Sequence, residues 1–515
     1  MSERPGVPAD LLAAFDQYEA ALLADDVAAL DAAFADDPET LRGDGNGLLV
    51  GHPEISAFRG ARGGIPPREI VGMETRMLGA DTALIVSVSA FRGGGRGLQT
   101  QLWQRIGGRW QITAAHVTGR AAALDRSIWR VVGDPLIRGS AEGPLAGLTV
   151  AVKDLFSIAG FAVGAGNPTF LAERPAEDVT APAVADLLRA GVSVAGIART
   201  DEFAYSITGT DAHYGTPPNG ALPGGLPGGS SSGPASAVAA GQVDLGLATD
   251  TAGSVRVPAS YQGLWGLRTT HGLVSREGLL PLAPSFDTVG WLTRDGATLA
   301  RVTAGMLGTG AHSGSAAPRL LLPTELIDTI SPATRAAFED WIAAVRARGR
   351  VAEVVEVRLG DTADWFDTFR VIQGAEAWRT HGAWVEAHPG ALGAAVAARF
   401  EAASAITPEQ EDAARSRLTQ LRARIRSCVD DGLLALPTTP GPAPSRAVSG
   451  PELDEVRTTT LRLTTVAAIG GLPAVSAPWL LVTTPQGPAP VGVSLIGAPE
   501  HDHELVSRAL ALAAS

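Results

Sequence analysis

Residues 227–241 read PGGSSSGPASAVAAG, with three adjacent serines, Ser230, Ser231 and Ser232, behind a pair of glycines. Around this stretch, short apolar runs alternate with helical patterns: LTVAVKDLF (148–156), APAVADLLRAG (181–191), VSVAGIA (192–198), PASAVAAGQ (234–242) and LGLATD (245–250). Strands that alternate with helices are typical of an α/β sheet with helices on its faces. The sequence therefore predicts an α/β fold for the part of the chain that contains the serines.

Ser231 lies in a pattern, Gly229-x-Ser231-x-Gly233, that matches the nucleophile elbow of α/β-hydrolases. An elbow needs a buried strand that leads into the turn. The preceding residues 221–229 read ALPGGLPGG, and two prolines and four glycines are incompatible with such a strand. We therefore do not expect Ser231 to be a nucleophile, and a plain glycine and serine loop is the alternative interpretation.

A second stretch, LGLATDTAGSVRVPAS (245–260), places an isolated serine, Ser254, in a turn of small residues after a short apolar strand. Small residues let successive backbone N–H groups converge on one point, which is what a developing oxyanion requires. Asp250 and Arg256 flank this turn. We expect them to brace it as a charge pair, although two separate surface charges also fit the pattern.

The basic residues supply a third candidate. Lysine and arginine together number 41, and the only lysine is Lys153, in the apolar strand LTVAVKDLF. Arginine stays charged, whereas a buried lysine can lose its proton near neutral pH. A serine nucleophile needs a base, and no histidine lies in either serine motif. Lys153 is therefore the candidate base, with survival by chance in a lysine-poor chain as the alternative.

Composition limits the partners and cofactors. A net charge of -13 opposes binding to nucleic acid or to an anionic membrane, and no apolar stretch is long enough to span a bilayer. The nine histidines lack metal-site spacing and no nucleotide-binding glycine motif is present, so we expect no metal and no cofactor. The single cysteine, Cys428, and an acidic N-terminus unlike a signal peptide favour a cytoplasmic location.

Three segments differ in pattern. In residues 1–120, helical patterns precede the alternating strands ALIVSVSAF, LQTQLWQRI and RWQITAAHV, which predicts a small α+β domain with helices on one face of a curved sheet. Residues 121–145 are polar and helix-like and predict a linker. Residues 146–515 predict the α/β domain, with helices dominating between about 325 and 430.

Four segments together resemble the amidase signature family of serine amidohydrolases: GPLAGLTVAVKDLF, PGGSSSGPASAVAAG, ATDTAGSVRVPASYQG and GLPAVSAP. The resemblance covers roughly residues 140–515, and GAGNPTFL, TGTDAHYGTP and SFDTVGW are most similar to indole-3-acetamide hydrolases of plants and their bacterial relatives. The first 120 residues resemble a cone-shaped NTF2-like domain found with bacterial amidases that degrade ureido compounds. The implied fold is a large mixed twisted sheet, covered by helices on both faces, after that α+β domain.

The resemblance implies a Ser-Ser-Lys triad. Ser254 matches the nucleophile, Ser230 the bridging serine on a cis peptide bond, and Lys153 the base. A hydroxyl both donates and accepts, so Ser230 can relay a proton between the other two. Ser231 is expected to hydrogen-bond the backbone of the glycine loop as a supporting residue.

The resemblance also implies binding residues. The backbone amides of Ser254 and the three residues before it, Thr251, Ala252 and Gly253, match the oxyanion hole, although Ala252 and Ala248 stand where glycine is common. Ala204 and Tyr205 match a segment on the acyl side of the pocket, with ordinary core residues as the alternative.

The expected activity is hydrolysis of a small carboxamide through an acyl-enzyme, with release of ammonia or an amine and with an aryl or indole acetamide as the substrate type. A ureido substrate similar to biuret or allophanate is the alternative, and it would need an arginine for its carboxylate. The sequence does not place Arg370, Arg379 or Arg399 near the pocket. A non-catalytic scaffold is the third interpretation, and we expect a homodimer formed through the N-terminal domain.

Overall fold

The chain divides into two compact units, Met1–Asp125 and Arg126–Ser515. A computed structural model describes residues 6–44, 47–62, 68–91, 96–118, 125–308, 317–430 and 432–513. Each unit has a separate set of buried apolar side chains. In the described part of the chain, no helix has the length and apolar character needed to cross a membrane.

The first unit is a six-stranded sheet with three helices. Its strands lie in the order β2-β1-β6-β5-β4-β3, and β4, β5 and β6, which contain the three predicted strands, pair antiparallel in succession. Phe15 of the first helix and Trp103 of the fifth strand are among its most buried side chains. The elements are α1 Ala9–Ala24, α2 Val27–Ala32, β1 Leu41–Asp44, β2 Gly47–Val50, α3 His52–Arg62, β3 Arg68–Gly79, β4 Thr82–Phe91, β5 Arg96–Ile106 and β6 Arg109–Thr118.

The second unit contains an eleven-stranded mixed sheet in the order β14-β13-β15-β17-β16-β11-β12-β10-β8-β9-β7. Its central strands are buried at every position, so that both faces of the sheet must be covered. The strands are β7 Trp129–Ile137, β8 Thr149–Lys153, β9 Ser193–Ala198, β10 Leu245–Asp250, β11 Trp265–Arg268, β12 Thr288–Thr293, β13 Arg319–Pro323, β14 Glu353–Val357, β15 Leu433–Pro437, β16 Ala474–Thr484 and β17 Gly487–Ile496.

Helices cover this sheet, as the alternating pattern predicts. Several start at side-chain caps; for example, Thr407 and Gln410 form a capping box. The helices are α4 Pro168–Glu173, α5 Pro182–Arg189, α6 Ser232–Ala239, α7 Arg256–Gln262, α8 Gly296–Leu307, α9 Thr324–Ile327, α10 Pro332–Ala347, α11 Thr362–Ala387, α12 Ala394–Ser404, α13 Pro408–Val429, α14 Pro451–Gly470 and α15 Asp502–Ala513.

The predicted linker differs from the structure. Residues 129–137 form β7, which pairs antiparallel with β9 at the edge of the large sheet, and residues 119–124 lie outside the described residues. The adjacent apolar residues Ile128 and Trp129 are buried where this strand begins. Much of the segment expected to be a helix-like connector is therefore a strand of the second unit.

The arrangement of β8 and β10 positions the candidate site. These neighbouring strands are parallel, with Leu247 opposite Val152. Because parallel strands end at the same edge of a sheet, Lys153 at the end of β8 and the turn after β10 lie at one edge.

Candidate active site

Lys153 is fully buried, with 0% of its surface exposed, and its amine lies among three hydroxyl groups. Its Nζ donates to Ser230 Oγ at 2.8 Å, to Ser231 Oγ at 3.0 Å and to Thr249 Oγ1 at 2.8 Å. The structure thus brings together the lysine, two of the three adjacent serines and a threonine of β10.

The pKa of Lys153 is lowered from 10.5 to about 7. Burial is the main cause, since a charged amine loses its hydration there. The negative charges of Asp201, Asp250 and Asp287 oppose this shift. The amine is therefore partly neutral at pH 7 and can accept a proton.

The Gly229–Ser230 peptide bond is cis, and Asp201 holds the loop around it. Ser230 O accepts a hydrogen bond from Asp201 N at 3.0 Å, and the Asp201 carboxylate accepts one from Ser232 Oγ at 2.8 Å. A Cβ at Gly229 would collide with that carboxylate. Glycine before Ser230 is therefore required by this close approach.

Ser254 lies in the turn between β10 and α7, and 3% of its surface is exposed. The Ser231 amide donates to Ser254 O at 3.4 Å, so the serine loop and this turn are linked directly. Gly253, just before the serine, has φ +127°, a conformation that side chains rarely adopt.

Asp250 forms a buried ionic cluster with two arginines. Arg256 donates from Nη2 to Asp250 Oδ1 at 2.9 Å, and Arg268 donates from Nη1 to the same oxygen at 3.0 Å. All three side chains are fully buried. Burial alone would raise the pKa of Asp250, but the charges of Arg256 and Arg268 hold it well below its ordinary value. Asp250 is therefore a carboxylate, and its pairing with Arg256 is internal to the fold rather than a surface contact.

The residues proposed for the oxyanion hole make different hydrogen bonds. Gly253 N donates to Asp250 Oδ1 at 2.8 Å, so this amide is engaged by the carboxylate. Ala252 O accepts from Thr464 Oγ1, and Thr251 Oγ1 donates to Asp287 Oδ1 at 2.6 Å. These contacts attach the turn to Asp250, Thr464 and Asp287.

The supporting residues that the sequence reasoning missed are Asp201, Thr249, Arg268, Asp287 and Thr464. Arg268 had a visible signal, because it ends the otherwise apolar strand WGLR. A charged residue in a strand buried at every position indicates a buried partner. The other four contacts depend on the fold and have no comparable local signal.

Ala204 and Tyr205 are both buried, at 5% and 8% exposure. The Tyr205 ring packs edge-on against Phe400 at 5.2 Å, and Tyr205 O accepts from Arg399 Nη1 at 2.7 Å. The side chain of Tyr205 therefore packs in an apolar cluster, and its backbone carbonyl contacts Arg399.

A cavity of about 410 Å³ adjoins this segment. Its lining includes Ser206, Thr208, Val396, Arg399 and Arg457.

The other two candidate arginines have different surroundings. Arg379 pairs with Glu411 at 2.6 Å and Arg370 approaches Asp367 at 3.8 Å, both with exposed side chains. Only Arg399 of the three candidates is in the lining of this cavity. Within the described ranges, no group of three His, Cys, Asp or Glu residues could hold a metal ion.

Comparison with known proteins matches each unit to a family. Residues 120–506 match the Amidase model and residues 2–122 match the AtzH-like model. Amidase 1 of Arabidopsis thaliana is 36% identical over 421 residues, which cover 75% of this chain and 97% of that protein. The 2-amino-5-chloromuconic acid deaminase of Comamonas testosteroni is 34% identical over 414 residues, or 76% of this chain and 86% of that protein.

A solved structure supports the same assignment. An inhibitor-bound vestigial protein complex, described as revealing the evolutionary origins of an s-triazine catabolic enzyme, has a TM-score of 0.65 and 31% identity. The match covers 72% of this chain and 84% of that one. This solved structure is therefore similar to the chain both in fold and in sequence. The chain therefore belongs to the Amidase family of hydrolases that cleave amide C–N bonds, and it carries an AtzH-like, NTF2-like domain at its N-terminus.

Proposed function

We propose that this protein hydrolyses a small carboxamide through an acyl-enzyme on Ser254, with Ser230 as the proton relay and Lys153 as the base. The observation that carries the proposal is the buried Lys153 amine, whose pKa is lowered to about 7 and which lies 2.8 Å from Ser230 Oγ. A neutral amine in this position has the basicity that general-base catalysis at neutral pH requires.

In the proposed reaction, Ser254 Oγ attacks the amide carbonyl carbon. Its proton passes to Ser230 Oγ as the Ser230 proton passes to Lys153 Nζ. The resulting ammonium returns a proton through Ser230 to the leaving nitrogen, and the C–N bond breaks to release ammonia or an amine. Water then attacks the ester, with the same relay removing its proton, and the carboxylic acid leaves with Ser254 restored.

The oxyanion that forms in each step needs donors from the turn before Ser254. We propose the amides of Thr251, Ala252 and Ser254 for this role. Gly253 N contributes less in our account, because it donates to Asp250 Oδ1. The proposed oxyanion hole therefore has three main donors, whereas the resemblance implies four.

Two substrate classes are considered. The resemblance favours an aryl or indole acetamide, and Val396 and Leu453 supply apolar lining for such a group. Arg399 in the same lining supports a substrate with an acidic group, as in the ureido alternative. The relative from Comamonas testosteroni is named for a substrate that is itself an acid.

A screen for ammonia release tests the proposed function. The panel contains aryl acetamides, aliphatic amides and biurets, each incubated with the full chain and with Ser254→Ala. We expect at least one class to release ammonia with the full chain and none with the variant. Absence of turnover on every class by the folded full chain would support the scaffold interpretation instead.

We also propose that the protein is a cytoplasmic homodimer and that its N-terminal unit mediates dimer formation. The unit presents exposed apolar side chains on its strands, among them Leu48, Val50, Val71 and Leu98. Sedimentation of the full chain and of a chain that begins at Arg126 tests this. A dimer that persists after the deletion would contradict the assigned role.

A further inference from the structure

Two arginines share the lining of the cavity beside Tyr205, one on α12 and one on α14. Arg399 Nη1 donates to Tyr205 O at 2.7 Å. Arg457 has no hydrogen bond or ion pair to any residue that the structure describes, and its buried Nε lacks a partner. Buried charged groups are ordinarily paired, because lost hydration must be replaced.

The two guanidinium groups also act on one another. Burial lowers the pKa of Arg457 to about 10, and the charge of Arg399 contributes to that shift. Burial likewise lowers the pKa of Arg399. Two like charges held in one cavity form a place where an anion would bind with a net gain, since it would relieve their repulsion.

Three acidic residues share this lining, and two of them, Glu202 and Asp211, accept hydrogen bonds from groups other than the two arginines. Glu202 accepts from Asn167 Nδ2 at 2.7 Å and from Gly393 N at 3.0 Å. Asp211 Oδ1 accepts from the backbone amides of His213 at 2.7 Å and Tyr214 at 3.0 Å, while its buried Oδ2 has no hydrogen-bond partner among the described residues. Burial raises the pKa of Asp211 to about 6, which weakens its negative charge near neutral pH.

Asp454 also lines the cavity, one helical turn before Arg457, and its side chain is exposed. Its charge acts on both arginines, yet it forms no ion pair with either in the part of the chain described. Because no acid among the described residues forms an ion pair with Arg399 or Arg457, the positive charge of the two arginines remains available for a ligand.

Helix α14 connects this pair to the candidate nucleophile. Arg457 and Thr464 are seven residues apart, so they lie on the same face of the helix, about 10 Å apart along its axis. Thr464 Oγ1 donates to Ala252 O in the turn that carries Ser254. One face of α14 therefore contributes both to the cavity lining, through Arg457, and to the support of the turn that carries Ser254, through Thr464.

A second connection runs through Asp201. Ser206 and Thr208 line the cavity, and the next residue, Gly209, donates from its amide to Asp201 Oδ2 at 2.9 Å. Asp201 acts electrostatically on both Arg399 and Lys153. The same buried carboxylate therefore lies near both groups.

We propose that Arg399 and Arg457 bind the carboxylate of the substrate while its amide group lies at Ser254. The substrate class is then a linear amide with a carboxylate at its far end, such as the monoamide of a dicarboxylic acid. This inference rests on the proposed function, which supplies the hydrolysis at Ser254. It adds the recognition of the substrate's negative charge by the two arginines.

The test compares monoamides of succinic, glutaric and adipic acid with neutral primary amides of matching chain length. We expect the full chain to favour an acid monoamide in kcat/KM. Because a hydrogen-bonded charge contact is worth about 1.5–3 kcal/mol, Arg457→Gln should lower that value by about 10- to 100-fold. The neutral amides should change by less than about 3-fold, as expected when only recognition of charge is lost.

Arg457→Gln is the preferred variant because Arg457 donates no hydrogen bond to the described backbone, whereas Arg399 donates to Tyr205 O. Arg379→Gln is the matched control, since that side chain is exposed, pairs with Glu411 and does not line the cavity. It should leave both substrate classes unchanged. Equal loss on acidic and neutral amides in Arg457→Gln, or no preference for acids in the full chain, would overturn the proposal.

A binding measurement separates this inference from the proposed function. Calorimetry on Ser254→Ala uses the glutaric monoamide as the probe, with and without the additional Arg457→Gln change. Arginine-dependent binding without turnover in the full chain would contradict the hydrolase proposal and retain the carboxylate site. Turnover of neutral amides without arginine-dependent binding would retain the hydrolase proposal and overturn the site.

Discussion

The amine of Lys153 lies 2.8 Å from the hydroxyl of Ser230, in a place where neither side chain is exposed. Ser231 and Thr249 complete the surroundings of the amine. No carboxylate within the described ranges forms an ion pair with it, and the three aspartates that oppose its lowered pKa act from further away. A hydroxyl group can donate a hydrogen bond to a neutral amine and can accept one from an ammonium ion. The amine can therefore gain or lose a proton during a reaction without losing its hydrogen-bond partners.

Replacement of Lys153 by arginine should abolish turnover. Arginine keeps the positive charge but cannot lose it near neutral pH, so the base disappears. We expect kcat to fall by at least about 10³-fold, as when a member of a comparable triad is removed. Rates of ammonia release, with circular dichroism to check the fold, measure this. An active arginine variant would show that Lys153 is structural.

The dependence of kcat/KM on pH should reflect the protonation of Lys153. Because the amine must be neutral, kcat/KM should rise about tenfold for each pH unit below 7 and level off above it. The expected midpoint is the lowered pKa of Lys153, about 7. Steady-state rates between pH 5 and 9 measure the profile. A rate independent of pH over that range would exclude Lys153 as the group that limits the reaction.

Two adjacent serines provide a matched pair of variants. Both Ser230 and Ser231 contact the Lys153 amine, but we assign the relay to Ser230 alone. Ser230→Ala should lower kcat by about 10²-fold or more, the range for loss of a proton-transfer group, whereas Ser231→Ala should lower it much less. Single-turnover kinetics of both variants compare them. The reverse order of effects would assign the relay to Ser231.

The ionic cluster behind the turn should affect stability more than chemistry. Asp250→Asn leaves Arg256 and Arg268 buried without a carboxylate, which should cost about 3–5 kcal/mol in the free energy of unfolding. Asp364→Asn is the control, because its pair with Arg417 is exposed and should contribute no more than about 1 kcal/mol. Urea unfolding measures both. Similar losses in the two variants would contradict the structural role of the cluster.

Much of the candidate site could be proposed from the sequence because the relevant residues are either unusual or clustered. Lys153 is the only lysine, and Ser230 and Ser254 lie in short motifs of small residues. The alternation of strands and helices around them also predicts the α/β fold. Parallel pairing of β8 and β10 then brings the ends of distant segments together.

The remaining contacts depend on long-range packing. Arg256 donates to Thr464 O, 208 residues away, and no local pattern indicates such a pair. In the first unit, β3 was not predicted, since none of its positions is buried and its polar residues weaken the alternation. Similarly, β7 is an edge strand with few buried positions, which explains why its segment had the pattern of a linker.

Covalent labelling tests the central claim most directly. The full chain and the variants Ser254→Ala and Lys153→Met are incubated with a fluorophosphonate, and the modified peptide is identified by mass spectrometry. The account predicts one adduct, on Ser254 Oγ, which is absent in Ser254→Ala and forms much more slowly in Lys153→Met. An adduct on Ser230 or Ser231, or labelling of Ser254 at an unchanged rate without the lysine, would contradict it.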